Sequence, residues 1–190
     1  MNRARMNKAA LLAAGSGAAL AAAGAYVGVV TGRITIDLGV GRRTRPLGPI
    51  TLDIAAPRET VFAVAAAPYA ERRPRAMEEK VEILAREGRA LIVAHHTPVG
   101  LGLTATTVET VVLEEPDCIG FQLMRGPVPH VAETFVFEPT ESGTRLTYTG
   151  ELATDQWRLG GLWGDLVARS WVAAVAKSLD AIRAESERRA

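Results

Sequence analysis

The chain has one cysteine, Cys118, among 190 residues. That excludes an internal disulfide framework and any zinc site built on cysteine, and it leaves the compartment open. Excess charge of either sign is also missing. The formal net charge is +1, so nothing draws the chain toward nucleic acid in general. Catalytic and cofactor signatures are absent as well. Gly15-Ser16-Gly17 is not a nucleophile elbow, and Gly100-Leu101-Gly102 lacks the remainder of a dinucleotide fingerprint. No cofactor is therefore expected. His130 and Glu133 stand three apart, a spacing that could share a metal on a helix. On a strand it puts them on opposite faces, so no metal site is expected either.

One run lacks charge altogether. After Arg3, Arg5 and Lys8, residues 9–30 carry no charged side chain. About 20 helical residues cross a hydrocarbon core of about 30 Å, so residues 1–31 are expected to be a single-span membrane anchor. The localisation that follows is a single-pass membrane protein. A signal segment, cleaved and exported, ranks second, because Ala23-Gly24-Ala25 fits a small-residue cleavage site. An alanine-rich soluble helix ranks last, since the run has no polar face. Arg33, Arg42, Arg43 and Arg45 balance the N-terminal cations, so the positive-inside rule does not choose a side for the rest of the chain. Residues 32–47, interrupted by glycine and proline, read as a linker. Residues 48–190 read as the globular domain.

Within that domain strand patterns dominate. Ile50, Leu52 and Ile54 alternate with polar or small neighbours, the mark of a half-buried strand. Pro57 and Glu59 suit a helix start, and Val61, Phe62, Val64 and Ala65 continue it as a short buried helix. Residues 69–76 read as a polar loop or short helix. Six strands then follow: Lys80–Arg86, Ala90–Thr97, Leu103–Leu113, Cys118–Arg125, Val131–Glu138 and Thr144–Leu152. Short turns between them imply an antiparallel meander. From about Leu159 to Arg188 the spacing predicts one long helix, with Val167, Trp171, Ala174, Val175, Ser178, Leu179 and Ile182 on a single stripe. Its charged end, Glu185–Ala190, is expected to fray. The fold class is α+β, a curved antiparallel sheet of about seven strands around a long C-terminal helix, preceded by the transmembrane helix.

Three stretches resemble the START-like, or SRPBCC, superfamily. Ile50-Thr-Leu-Asp-Ile-Ala-Ala-Pro57 followed by Glu59-Thr-Val-Phe62 looks like its opening strand and helix. Glu114-Glu-Pro-Asp-Cys-Ile-Gly-Phe121 looks like a later strand entry. Phe135-Val-Phe-Glu-Pro139 with Gly143-Thr-Arg-Leu-Thr147 looks like its closing hairpin. The resemblance covers roughly residues 48–187 and is nearest to the polyketide cyclase/dehydrase branch. It implies a helix-grip fold whose cavity, between sheet and last helix, binds an apolar small molecule. It does not imply catalysis.

Strand parity supplies the candidate site. Val131, Glu133, Phe135 and Phe137 share a face, and the two aromatics belong inside, which carries Glu133 inward. Ile119, Phe121, Leu123 and Arg125 share the facing parity, so Arg125 and Glu133 could meet across the hairpin, as a ligand clamp or as a rim salt bridge. Tyr148 shares its parity with Leu146 and Leu152. Trp163 lies at the helix entrance. Val167, Trp171 and Ala174 line the helix side, with small residues leaving space. His95 and His96 face opposite ways, His95 inward if Leu91 and Val93 are. A backbone partner is the simplest expectation for either.

No acid–base cluster converges in this reading, which points to binding a hydrophobic molecule (lipid, isoprenoid or polyketide-like) without turnover. The alternatives are a polyketide cyclase or dehydratase using Glu133, Tyr148 and His95, and an interaction domain with a filled core. The sequence leaves the oligomeric state open.

Overall fold

Strands with one apolar face build most of the molecule. In the computed structural model, which describes residues 20–190, seven strands form one antiparallel sheet. They are β1 (Arg43–Ile54), β2 (Val81–Glu87), β3 (Ala90–Gly100), β4 (Leu103–Glu114), β5 (Cys118–Arg125), β6 (His130–Thr140) and β7 (Gly143–Thr154). Their order is β1-β7-β6-β5-β4-β3-β2. Every consecutive pair from β2 to β7 is a neighbour, as short connections require, and β1 adds itself outside β7. A helical segment, α1 (residues 20–30), precedes β1. Between β1 and β2 lie α2 (Arg58–Ala66), a 3-10 turn (Ala67–Tyr69) and α3 (Arg75–Glu78). The chain closes with α4 (Trp157–Arg189). This is the helix-grip arrangement, a curved sheet holding one long helix.

The expected membrane span needs correction. Among the described residues no helix is long and apolar enough to cross a membrane. Residues 1–19 lie outside the described residues. The part of the uncharged run that is described, α1, is about 16 Å long at the usual helical rise. It ends by folding back onto the domain: Gly28 accepts a hydrogen bond from Ile34 N at 2.9 Å, and Thr31 O accepts one from Thr106 N at 3.0 Å on β4. Gly28, Thr31 and Gly32 are buried. A run rich in alanine and glycine lacks the leucine-like side chains that make insertion strongly favourable. The single-pass localisation is therefore not supported.

Residues 32–42, read above as a linker, lie along the domain. Thr35 Oγ1 donates to Gly126 O at 2.7 Å and accepts from Gly126 N at 3.1 Å. Asp155, between β7 and α4, collects Leu38 N at 2.6 Å, Gly39 N at 2.8 Å and Arg42 Nε at 2.8 Å. Arg43, the first residue of β1, then pairs with Thr154 at the end of β7. The strand thus begins well before the apolar alternation that announced it.

The core fills the space between sheet and helices. Leu91, Val93, Val111, Ile119, Phe137, Leu146 and Tyr148 point into it from the strands, with Val61 and Phe62 from α2 and Val167 and Leu179 from α4. The Phe62 and Phe137 rings meet edge to face at 5.4 Å. The main contacts of α4 are with β1, β7 and α2. Its stripe is as the spacing predicts for Val167 and Leu179, whereas Ala174 and Ser178 are exposed. Its C-terminal end does not fray. The helix runs to Arg189, Ser186 is fully buried, and Glu187 Oε1 accepts from Ala55 N at 3.3 Å. The turn into β7 needs its glycine: Gly143 has φ +147°, and a Cβ there would sit 2.2 Å from Ile54 O.

Candidate ligand site

The inner face of β3 to β7 carries a line of aromatic and titratable side chains. Because inward residues alternate, register decides who meets whom. Phe121 lies opposite Glu133 in the β5–β6 pairing, and Phe135 opposite Tyr148 in the β6–β7 pairing. Rings follow one another across the sheet. Tyr69 and His95 approach Phe121 at 6.1 and 6.4 Å, Phe121 meets Phe135 at 5.4 Å, and Phe135 meets Tyr148 at 5.3 Å. Phe121, Phe135 and Trp171 are only half-buried although they point inward.

Glu133 sits at one end of this line and is nine-tenths buried. Its Oε1 accepts from Tyr148 Oη at 2.5 Å and from Trp171 Nε1 at 2.7 Å, so α4 is tied to the middle of the sheet through a carboxylate. Oε2 has no partner among the described residues. Burial pushes the Glu133 carboxyl up to about 7, against the pull of its two hydrogen bonds; nearby Glu109 adds to the rise and His95 opposes it. Tyr148 is fully buried, and burial raises its hydroxyl far above the usual phenol range, with Glu133 adding to the effect. Room for the Glu133 side chain comes from Gly150 on the next strand. A Cβ there would lie 3.1 Å from Glu133 Cγ and 3.3 Å from Tyr148 Oη.

A second cluster sits at the other end. Glu109 on β4, 5% exposed, accepts from Thr107 Oγ1 at 2.6 Å through Oε1 and faces His95 Nδ1 at 3.0 Å through Oε2. The other ring nitrogen, His95 Nε2, pairs with Tyr69 Oη at 3.2 Å. Burial raises the Tyr69 hydroxyl far above the usual range, with Glu109 and Glu133 contributing. Tyr69, His95 and Glu109 thus form a hydrogen-bonded row in which the carboxylate orients the imidazole.

The candidates read from sequence divide into three groups. Phe121, Glu133, Phe135, Tyr148 and Trp171 come together. Leu123 and Val167 are buried in the surrounding core, and Trp163 is half-buried, its Nε1 donating to Pro127 O at 2.8 Å in the β5–β6 connection. Arg125 and Ala174 are exposed. Arg125 makes no ion pair with Glu133, because the chain takes Arg125 past the end of the β5–β6 pairing while Tyr148 and Trp171 occupy the carboxylate. His95 faces inward as parity required, but its partners are side chains rather than backbone. Tyr69, Glu109 and Gly150 were missed. Parity held a signal for Glu109, which alternates with the inward Thr107 and Val111. His130 pairs with Glu151 at 2.8 Å, away from Glu133. Among the described residues no three His, Cys, Asp or Glu side chains gather to hold a metal ion. An open depression of about 480 Å³ is floored by Thr110, Gln122, Thr134 and Thr149, which have the opposite strand parity, and Phe121, Glu133 and Gly150 also border it.

A curved sheet with an inward row of aromatic rings and two buried polar clusters, under a helix that rests chiefly on β1 and β7, defines a helix-grip protein with an interior site. The chain belongs to the family described as polyketide cyclase/dehydrase and lipid transport, whose model matches residues 50–187. No curated protein sequence matches it. Solved structures resemble it over most of its length. Zhui aromatase/cyclase from Streptomyces sp. R1128 is 26% identical, with a TM-score of 0.57 over 78% of this chain and 95% of that one. The two-domain aromatase/cyclase StfQ of the steffimycin pathway is 20% identical, with a TM-score of 0.56 over 78% of this chain and 52% of that one. Norcoclaurine synthase from Thalictrum flavum, in complex with dopamine and hydroxybenzaldehyde, is 16% identical, with a TM-score of 0.54 over 73% and 85%. At the last two identities the likeness shows the fold alone.

Proposed function

We propose that this protein binds an apolar small molecule (a lipid, an isoprenoid or a polyketide-like compound) against the inner face of its sheet, beside α4. One observation carries the reading: Phe121, Phe135 and Trp171 point inward yet remain half-buried around the buried Glu133. Apolar walls with a few placed polar groups are what small-molecule sites consist of. The test is titration of the full chain with Nile red, a neutral dye that brightens in apolar surroundings. Val175, half-buried one turn beyond Trp171, is the position to block. Val175→Trp is expected to weaken dye binding about tenfold or more while the chain stays folded. If the wild-type chain leaves Nile red dark, the reading is wrong.

A second reading, cyclase- or dehydratase-type turnover, is favoured by the polar clusters. A carboxyl near 7 can hold or release a proton at neutral pH. Tyr69, His95 and Glu109 add an oriented imidazole on the same face. Similarity to an aromatase/cyclase supports this reading. Loss of water from a supplied aromatic β-hydroxyketone, followed by mass spectrometry and abolished by Glu133→Gln, is the expected outcome. No conversion by a chain that binds the compound would leave binding as the function.

A further inference from the structure

Among the described residues, the inner face holds two buried carboxylates, and the one basic side chain facing either of them is His95. Glu109 is paired with His95, and Glu133 is hydrogen-bonded only by the neutral donors of Tyr148 and Trp171. Among the described residues neither carboxylate makes an ion pair with lysine or arginine. The arginines nearest Tyr69 are turned elsewhere: Arg86 bonds to Tyr69 O, and Arg73 bonds to Pro68 O at 2.9 Å and Val81 O at 3.0 Å. Glu133 is nine-tenths buried with Oε2 unpartnered among the described residues, so it has a hydrogen-bonding position to offer a guest. The half-buried rings beside it supply the apolar contact.

We infer that the site selects apolar molecules whose polar end donates hydrogen bonds (an alcohol, a phenol or an amine) and rejects those ending in a carboxylate or another anion. This rests on the binding reading above and narrows it. An ionised Glu133 accepts from a donor head and attracts an ammonium. A protonated Glu133 would carry its proton on Oε2, since Oε1 already accepts two hydrogen bonds, and would donate there, so the selection belongs to the ionised form. A ligand carboxylate would meet Glu133 and Glu109 with no arginine or lysine to compensate, and juxtaposed like charges are the standard means of excluding a wrong partner. A fatty-acid carrier would need the opposite lining, since planar carboxylates are held by guanidinium forks.

The test uses three compounds sharing one apolar body: 2-naphthalenemethanol, 2-(aminomethyl)naphthalene and 2-naphthoate. Each competes with Nile red on the full chain at pH 8, above the value of about 7 at which Glu133 loses its proton. The alcohol and the amine are expected to displace the dye at least about tenfold more effectively than the carboxylate. Glu133→Gln is expected to narrow that gap, and Glu109→Gln to narrow it less, since Glu109 is already paired. Equal displacement by all three, or strongest displacement by 2-naphthoate, overturns the inference while leaving ligand binding intact. A gap unchanged in both variants also overturns it, because the carboxylates would then not be its source. If Nile red itself fails to bind the wild-type chain, the binding reading falls and the inference falls with it.

Discussion

Glu133 and Asp155 are both buried carboxylates, and the fold pushes their proton affinities in opposite directions. Asp155 is anchored by charge and by backbone. Arg42 sets its lowered pKa of about 2 as the largest influence, and the amides of Gly39 and Leu38 add to it against the cost of burial. Glu133 receives two hydrogen bonds as well, from Tyr148 and Trp171, but no cation, and burial prevails, carrying it to about 7. Two donors on a carboxylate are not enough to keep it ionised. What separates the pair is whether a full positive charge arrives with them. Asp155 accordingly belongs to architecture, holding residues 38–42 against the junction of β7 and α4. Glu133 carries a burden that the fold alone does not require, which is the usual mark of a group kept for a ligand or a reaction.

The sharpest test of the contrast is the pH dependence of stability. A carboxyl raised from 4.5 to about 7 means that the native chain keeps a proton the unfolded chain has lost in that window. Stability therefore falls as pH rises through it and stays lower above. The size of the effect is about 3 kcal/mol for a shift of this order. Urea unfolding at pH 5 and pH 8 should show the loss in the wild type and its absence in Glu133→Gln. The same slope in both chains would remove Glu133 from the account.

Asp155→Ala should behave differently. A depressed pKa stabilises above the unfolded value of 3.8 and is lost only as pH falls through about 2. Between pH 5 and 8 the cost of the substitution should be flat, about 2 kcal/mol for the buried hydrogen bonds it removes. Hydrogen exchange at Leu38 and Gly39 should quicken with it. A cost that varies across that range would merge the two carboxylates into one class.

Legibility from sequence follows the same division. Strands β5 and β6 were readable because their aromatic residues, Phe121, Phe135 and Phe137, occupy one parity only. That parity carried Glu133, Phe121, Phe135 and Tyr148 to the inside. Strand β4 offers valine and threonine on both faces, for example Thr106, Thr107, Val108, Thr110 and Val111, so the parity that Glu109 shares with Thr107 and Val111 could not be recognised as the inward one. Tyr69 stands among prolines and arginines and is placed only by its turn. The Asp155 anchor joins residues more than a hundred positions apart, and glycine-rich sequence around Gly39 and Gly41 looks the same whether strapped down or free. The N-terminal run failed for a related reason: absence of charge fits a span, but an alanine- and glycine-rich helix that turns back onto β4 also lacks charge.

Gly150 sharpens the Glu133 side of the comparison. Its missing side chain is what lets the carboxylate lie flat against β7, since a Cβ would come within 2.9 Å of Ala132 O and 3.1 Å of Glu133 Cγ. Gly150→Ala should destabilise by about 1 kcal/mol or somewhat more, through overpacking. It should also weaken Nile red binding, because Glu133 and Tyr148 must move. Unchanged stability and binding would show that the space is looser than the geometry states.

The smallest effect tests the donors themselves. Tyr148 and Trp171 both hold the Glu133 pKa down, Tyr148 more than Trp171. Removing a donor that favours the charged form must raise the pKa further. Tyr148→Phe should lift the carboxyl by about one unit, the worth of a hydrogen bond to a charged group. Trp171→Phe keeps an aromatic ring against the sheet but loses the indole N–H and one ring, and its shift should be smaller. Titration of the Glu133 side-chain carboxyl by carbon NMR reads both. A larger shift for Trp171→Phe than for Tyr148→Phe would reverse the order of the donors. A fall in Tyr148→Phe would mean that Glu133 is held as the protonated acid and donates to the Tyr148 hydroxyl, and the contrast with Asp155 would then rest on proton occupancy rather than on the missing cation.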